Sequence, residues 1–311
     1  MTKPNRWKLF TLGLIGTLTL SLGLAGCAPS RSASTGIRVV ASTNVWGNIA
    51  GLIGGDSVTV SSLITDPKQD PHDYQASATN LKTVSDAQLL IENGGGYDDF
   101  MTQLIESSGN KAAVVNAVKI SGFSGDDLNE HVWYSFPTVK LVAASIANEL
   151  SLLDPSDAEV FSKNLDNFNQ QLDQLTAAAT ALNASSDRVL VTEPVPLYLL
   201  EAAGFSDATP HEFSHAVEEG NDAPASVVSE MNSLLQSGTI RLLAVNSQTE
   251  SEQVDAVRDV ANKANVPVVE FTETLPAGLD YLSWMRQNIQ HISEALEQPQ
   301  PSPSPSPTTQ Q

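Results

Sequence analysis

The chain has 311 residues, long enough for two lobes rather than one. A hydrophobic share of 41 % with only 6 % aromatic residues is that of a globular protein and excludes wholesale disorder. A formal charge of −20 argues against nucleic acid as a partner, because its phosphates would be repelled.

Lys3, Arg6 and Lys8 precede an apolar run, residues 9–24, that closes on Leu24-Ala25-Gly26-Cys27. A positive start, an apolar stretch and small residues before a cleavage point are the layout of an export signal. The run is short for a comfortable membrane span. The quartet resembles a bacterial lipobox, which implies cleavage before Cys27 and a diacylglycerol on its sulfur. Cys27 is the only cysteine, so no intramolecular disulfide can form. The expected anatomy is a signal peptide over 1–26 and a lipid-anchored tether over 27–36. An N-terminal lobe (37–155), a linking helix (156–185) and a C-terminal lobe (186–298) follow, then a disordered Pro/Ser tail (299–311). The expected location is the extracytoplasmic face of the cell membrane.

Residues 37–41 read as a buried strand, with Ser42 or Asn44 capping a helix to about residue 53. Residues 58–63 form a second strand. The loop Asp70-Pro71-His72-Asp73-Tyr74 follows; Pro71 fixes φ and holds Asp70 extended, so His72 stands on a rigid turn. A helix over 77–85, a strand over 87–91 and the turn Asn93-Gly94-Gly95-Gly96 come next. Those glycines lack GxGxxG spacing and a GK[ST] ending, which makes them a tight turn rather than a phosphate cradle. A helix to about 105 and a short strand over 111–115 complete this series. His131 lies in the next loop, 129–134, ahead of a helix over 138–152.

Asp157 is placed to cap a long amphipathic helix running to about 182. Val160, Phe161, Leu165, Phe168, Leu172 and Leu175 recur there at helical spacing. Some 25 residues at about 1.5 Å each give a spine of roughly 40 Å. A second series follows, with strands at 189–191, 242–245 and 266–271 and helices at 196–203, 226–237, 252–264 and 279–296. Strands alternating with helices in both halves predict an α/β protein of two lobes, each a mainly parallel sheet flanked by helices.

His72, His131, Glu193 and Glu273 each fall at the carboxyl end of a predicted strand or in the loop after it, as in a site assembled in a cleft. Segments 64–74, 86–100, 129–134, 192–204 and 266–289, in this order and spacing, resemble the substrate-binding lipoproteins of zinc and manganese ABC importers. The resemblance extends over nearly all of residues 37–292. It implies four metal ligands from loops of both lobes: His72, His131, Glu193 and Glu273. Glu273 departs by one methylene from the aspartate usual at its position, and Glu270 is its competitor. It further implies a non-enzymatic, monomeric receptor that passes its ion to a permease driven by a cytoplasmic ATPase. Two neutral imidazoles and two carboxylates neutralise a divalent ion, which offsets the cost of burying it. Half-oxygen coordination suits Mn2+ slightly better, whereas Zn2+ binds most such sites more tightly. Tyr74, Trp133 and Tyr198 are expected to wall the cleft, and Asp73 or a backbone carbonyl to orient His72.

Two other readings compete. Residues His211-Glu212-Phe213-Ser214-His215 spell HExxH, which inside a helix holds zinc for peptide hydrolysis. Here Pro210 starts the helix, which leaves His211 in its first turn, and no HxxGxxH element follows. Two partly exposed histidines are therefore expected, with His291 likewise structural or exposed. The Ser-Pro tail would suit a surface adhesin, although no residue encodes a host ligand.

Overall fold

The computed structural model describes residues 36–66, 69, 74–125, 128–249 and 251–299. The export signal, Cys27, His72 with its neighbours Asp70, Pro71 and Asp73, and the tail from 300 onward lie outside the described residues.

Four strands of the first half, β1 (Ile37–Thr43), β2 (Val58–Ile64), β3 (Leu89–Glu92) and β4 (Ala113–Asn116), form one parallel sheet. Its order is β2-β1-β3-β4. The second half repeats the arrangement with β5 (Arg188–Val191), β6 (Ser206–Asp207), β7 (Ile240–Asn246) and β8 (Val268–Phe271). There the order is β6-β5-β7-β8, again parallel. Parallel neighbours need crossover connections, and helices supply most of them. In the first half these are α1 (Asn44–Gly54), α2 (Ala78–Ser85) and α3 (Asp99–Ser108), with the short α4 (Ala117–Ser121) after β4. Next come α5 (Phe136–Leu153) and α6 (Ala158–Ala181). The second half contains α7 (Leu197–Ala202), α8 (His211–Glu218), α9 (Ala225–Gln236), α10 (Glu252–Lys263) and α11 (Tyr281–Glu297). The two-lobed α/β architecture with a spine helix, expected from the sequence, is the observed one.

The spine is α6, whose 24 residues span about 36 Å. It packs on α1 and α5 of the first half and on α7 and α11 of the second. Phe161, Phe168, Leu172, Leu175 and Ala179 are its buried face. Val160 stays 46 % exposed and Leu165 only half-buried, so two of the six expected core positions lie at the margin. One continuous core contains Val39, Ala41 and Leu89 of the first sheet together with Val189, Val191 and Leu242 of the second. Opening the lobes widely would expose that shared core, so the fold favours a stiff molecule.

Some local expectations are corrected. Thr43, not Ser42 or Asn44, occupies the N-cap of α1, and its side chain makes no capping bond. Ser42 remains in β1 and is fully buried. Asn44 instead holds Leu275, donating to its carbonyl at 2.9 Å and accepting from its amide at 2.9 Å. Asp157 sits at the N-cap of α6 but does not cap it; it accepts from the Ser57 hydroxyl at 2.5 Å. Short α4 and β6 have too few residues to show a period.

Candidate metal centre

The carboxyl ends of the strands carry the polar residues that the core excludes. Glu193 follows β5, Glu273 follows β8, and Asn246 is the last residue of β7. In the second sheet β5 has β6 on one side and β7 on the other. The connection from β5 runs to β6 on one side and that from β7 runs to β8 on the other, which opens a crevice between the ends of β5 and β7, the usual place for a ligand in such sheets. His131 lies in the first half, immediately before a 3-10 turn over Val132–Tyr134. Relative exposure is 0 % for His131, 2 % for Glu193 and 1 % for Glu273. Ionisable groups buried to that degree need partners.

Asn246 is one such partner. Its side-chain nitrogen donates to Glu193 Oε2 at 2.9 Å and to Glu273 Oε1 at 2.7 Å, with Thr249 Oγ1 at 3.1 Å. Two hydrogens serve these three acceptors, and the two shorter contacts go to the carboxylates. Asn246 Oδ1 accepts from the Gln248 amide at 3.1 Å, which fixes the orientation of the group. Gln248 then clamps the Glu273 loop, accepting from the amides of Glu273 at 2.6 Å and Thr274 at 3.0 Å. Its own side-chain amide donates to the Gln69 carbonyl at 3.3 Å, three residues before His72.

Asn129 sets the histidine. Its Nδ2 donates to the Pro194 carbonyl at 2.9 Å, and a carbonyl can only accept, so Oδ1 is the acceptor end. That oxygen receives the His131 amide at 3.0 Å and contacts His131 Nδ1 at 2.8 Å. Nδ1 must therefore carry the proton, and the ring lone pair lies on Nε2, ready for a metal. Trp133 and Tyr97 stand edge-on to this ring, with centroids at 5.2 and 5.9 Å. Tyr198 closes the loop from outside, donating to the Asn129 carbonyl at 2.8 Å and stacking on Phe123 at 5.3 Å.

The triple-glycine turn supports the same loop. Gly94, Gly95 and Gly96 have φ of 78°, 75° and 97°, which side-chain-bearing residues resist. Asp98 accepts from the amides of Asn93 at 2.6 Å and Gly94 at 2.8 Å. Burial nevertheless raises Asp98 from 3.8 to about 6 against these bonds. Asn93 in turn accepts from Trp46 Nε1 at 3.2 Å and donates to the Glu130 carbonyl at 2.9 Å, next to His131. Tyr134 and Tyr281 complete the scaffold, donating to the carbonyls of Thr272 at 2.8 Å and Trp133 at 2.6 Å.

Among the described residues, the ligand-type side chains whose donor atoms all approach within 4.8 Å are Glu130, His131 and Glu218, not His131 with Glu193 and Glu273. Glu218, the last residue of α8, stands 3.9 Å from His131 Nδ1. Burial pushes its carboxyl up to about 8, helped by the charges of Glu130, Glu193 and Glu219. Nδ1 already gives its proton to Asn129, so Glu218 stands on the hydrogen-bonding side of the ring rather than on its lone-pair side. Glu130 and Glu218 also line a cavity of about 340 Å³ with Pro194, Asp207, His211 and His215.

A family model described as the periplasmic zinc-uptake complex component A, ZnuA, matches residues 39–295. The chain belongs to this family. Manganese ABC transporter substrate-binding lipoprotein PsaA of Streptococcus pneumoniae is 27 % identical over 312 residues, covering 92 % of this chain and 98 % of that one. The periplasmic zinc-binding protein TroA of Treponema pallidum shares the fold with a TM-score of 0.70 at 22 % identity, over 84 % of this chain and 99 % of its own. FpvC of Pseudomonas aeruginosa, solved with Mn2+, superposes with a TM-score of 0.71 at 22 % identity over 84 % and 98 %.

In this ZnuA-family chain His131, Glu193 and Glu273, three of the four ligands expected from the sequence, lie in buried loops, while His72 lies outside the described residues. Glu270 is exposed on β8 and pairs with Arg258 at 2.6 Å, which takes it away from the centre. Tyr74 bonds Asn80 at 3.0 Å and packs on Phe100 at 4.5 Å in a separate core cluster. It is Tyr97, not Tyr74, that stands with Trp133 against the His131 ring. The HExxH run forms an eight-residue helix that His211 opens directly after Pro210. Asn129, Asn246, Tyr97 and Glu218 were missed. Asparagines in loops look like turn residues, and Glu218 opens an acidic turn, so no local signal marks them. No helix among the described residues is long and apolar enough to cross a membrane.

Proposed function

We propose that this chain captures one divalent transition metal through His72, His131, Glu193 and Glu273 and delivers it to a membrane permease driven by its ATPase. The cargo is Mn2+, with Zn2+ as the competing ion. The observation that supports this reading best is the buried carboxylate pair, Glu193 and Glu273, bonded to the single amide of Asn246. Two carboxylates so placed repel one another, and a cation between the lobes relieves that repulsion. The His131 lone pair on Nε2 supplies a nitrogen donor, and His72 a second. Two nitrogens with two carboxylates suit manganese, and the PsaA relative is named for that ion. Family membership implies a transporter component rather than a hydrolase.

The working protein is a monomer, held at the extracytoplasmic face by lipid on Cys27 after removal of residues 1–26. Its lobes run over 37–155 and 186–298, joined by 156–185. The test is thermal unfolding of residues 28–298, stripped of metal and titrated with Mn2+ or Zn2+. A ligand at about a thousand times its Kd adds roughly 4 kcal/mol. A saturable rise in Tm that vanishes in His131→Ala supports the reading; no rise with either ion contradicts it.

A further inference from the structure

The HExxH run is not absorbed by the centre described above. Its spacing of four places His211 and His215 on one face of α8. The two rings stack, with centroids 5.7 Å apart and planes 19° from parallel. Both residues are exposed, and both line the 340 Å³ cavity together with Asp207, Glu218 and Glu219. This wall adjoins the centre without being part of it, because Glu218 meets His131 on its Nδ1 side.

We propose that His211 and His215 form a second, outer cation site that takes Zn2+ or Ni2+ but not Mn2+. Paired imidazoles favour these borderline ions, whereas manganese prefers oxygen donors. Histidines at i and i+4 of a helix can hold one zinc ion between them, each through one ring nitrogen at about 2.0–2.1 Å. The carboxylates of the cavity offset the charge, and water fills the remaining positions. Among the described residues no third ligand joins this pair within 4.8 Å, so the site is weaker than the buried centre. It is also not a hydrolytic one: Glu212 is exposed and α8 is only eight residues long. The two sites therefore differ in selectivity, with zinc occupying both and manganese only the inner one.

The test is calorimetric titration of the full chain in mild detergent near neutral pH, with Zn2+ and separately with Mn2+. The expected zinc isotherm has a tight and a weaker equivalent, and the manganese isotherm has one. The H211A/H215A variant loses the weaker zinc equivalent and keeps the manganese isotherm. His131→Ala loses the tight equivalent and keeps the weaker one, which separates failure of the inner centre from failure of the outer. Ring signals of His211 and His215 shift in NMR spectra only with the second zinc equivalent. A single zinc equivalent in the parent chain, or a second one that survives H211A/H215A, overturns the proposal.

Discussion

Replacing Asn246 by Leu removes a donor shared by Glu193 and Glu273 while keeping side-chain size close. Both carboxylates are at least 98 % buried, so water cannot easily replace the lost hydrogen bonds. Each of these bonds is charge-assisted, a class that contributes about 1.5–3 kcal/mol when made and leaves a buried acceptor unsatisfied when lost. Groups that orient metal-binding carboxylates typically change affinity by about 10–100-fold. Mn2+ affinity should therefore fall by about 10–100-fold, or roughly 1.4–2.8 kcal/mol. Competition of the variant with a fluorescent chelator measures Kd directly, and circular dichroism shows whether the fold survives. A folded Asn246→Leu variant that binds Mn2+ within about twofold of the parent would refute the argument. Asn246→Asp is the sterner variant, since it replaces the donor by a third carboxylate in the same space.

Glu273→Gln should abolish Mn2+ binding, whereas Glu270→Gln should leave it unchanged and cost at most about 1 kcal/mol of stability in denaturant, because its pair with Arg258 is exposed. Asp98 gives a pH signature: the folded chain keeps its proton up to about pH 6, whereas the unfolded reference releases it near 3.8. Its contribution to stability is therefore full below 3.8 and lost as pH rises through about 6. Denaturant titrations should show the parent declining relative to Asp98→Asn across that window and running parallel above it. Gly54→Ala puts a Cβ 2.9 Å from Val58 Cβ. Although alanine is the better helix former by up to about 1 kcal/mol, the overlap should lower stability by about 1–3 kcal/mol, seen as a lower Tm.

Hydrophobic periodicity revealed both sheets and the spine because each long element buries one face. Phe161, Phe168, Leu172 and Leu175 recur at three, four and seven residues, and all four are buried. Boundaries moved where polar residues had two possible partners. Asn44 could cap α1 or hold a distant loop, and only the fold shows it bonded to Leu275, 231 residues away. The candidate centre divides in the same way. Histidines and glutamates near strand ends announce themselves by type and position. The groups that set their protonation and direction are asparagines, and their partners are remote in sequence: Asn129 answers to Pro194, and Asn246 to Glu193 and Glu273. Glu218 reaches His131 across 87 residues, through a helix whose sequence draws attention to its histidines instead.

The most direct test of metal capture is an anomalous difference map at the manganese edge from crystals grown with Mn2+. Capture as proposed gives one strong peak bonded to His72, to Nε2 of His131 and to Glu193 and Glu273. A peak beside Nδ1 of His131 between Glu130 and Glu218, or no peak at all, would contradict it.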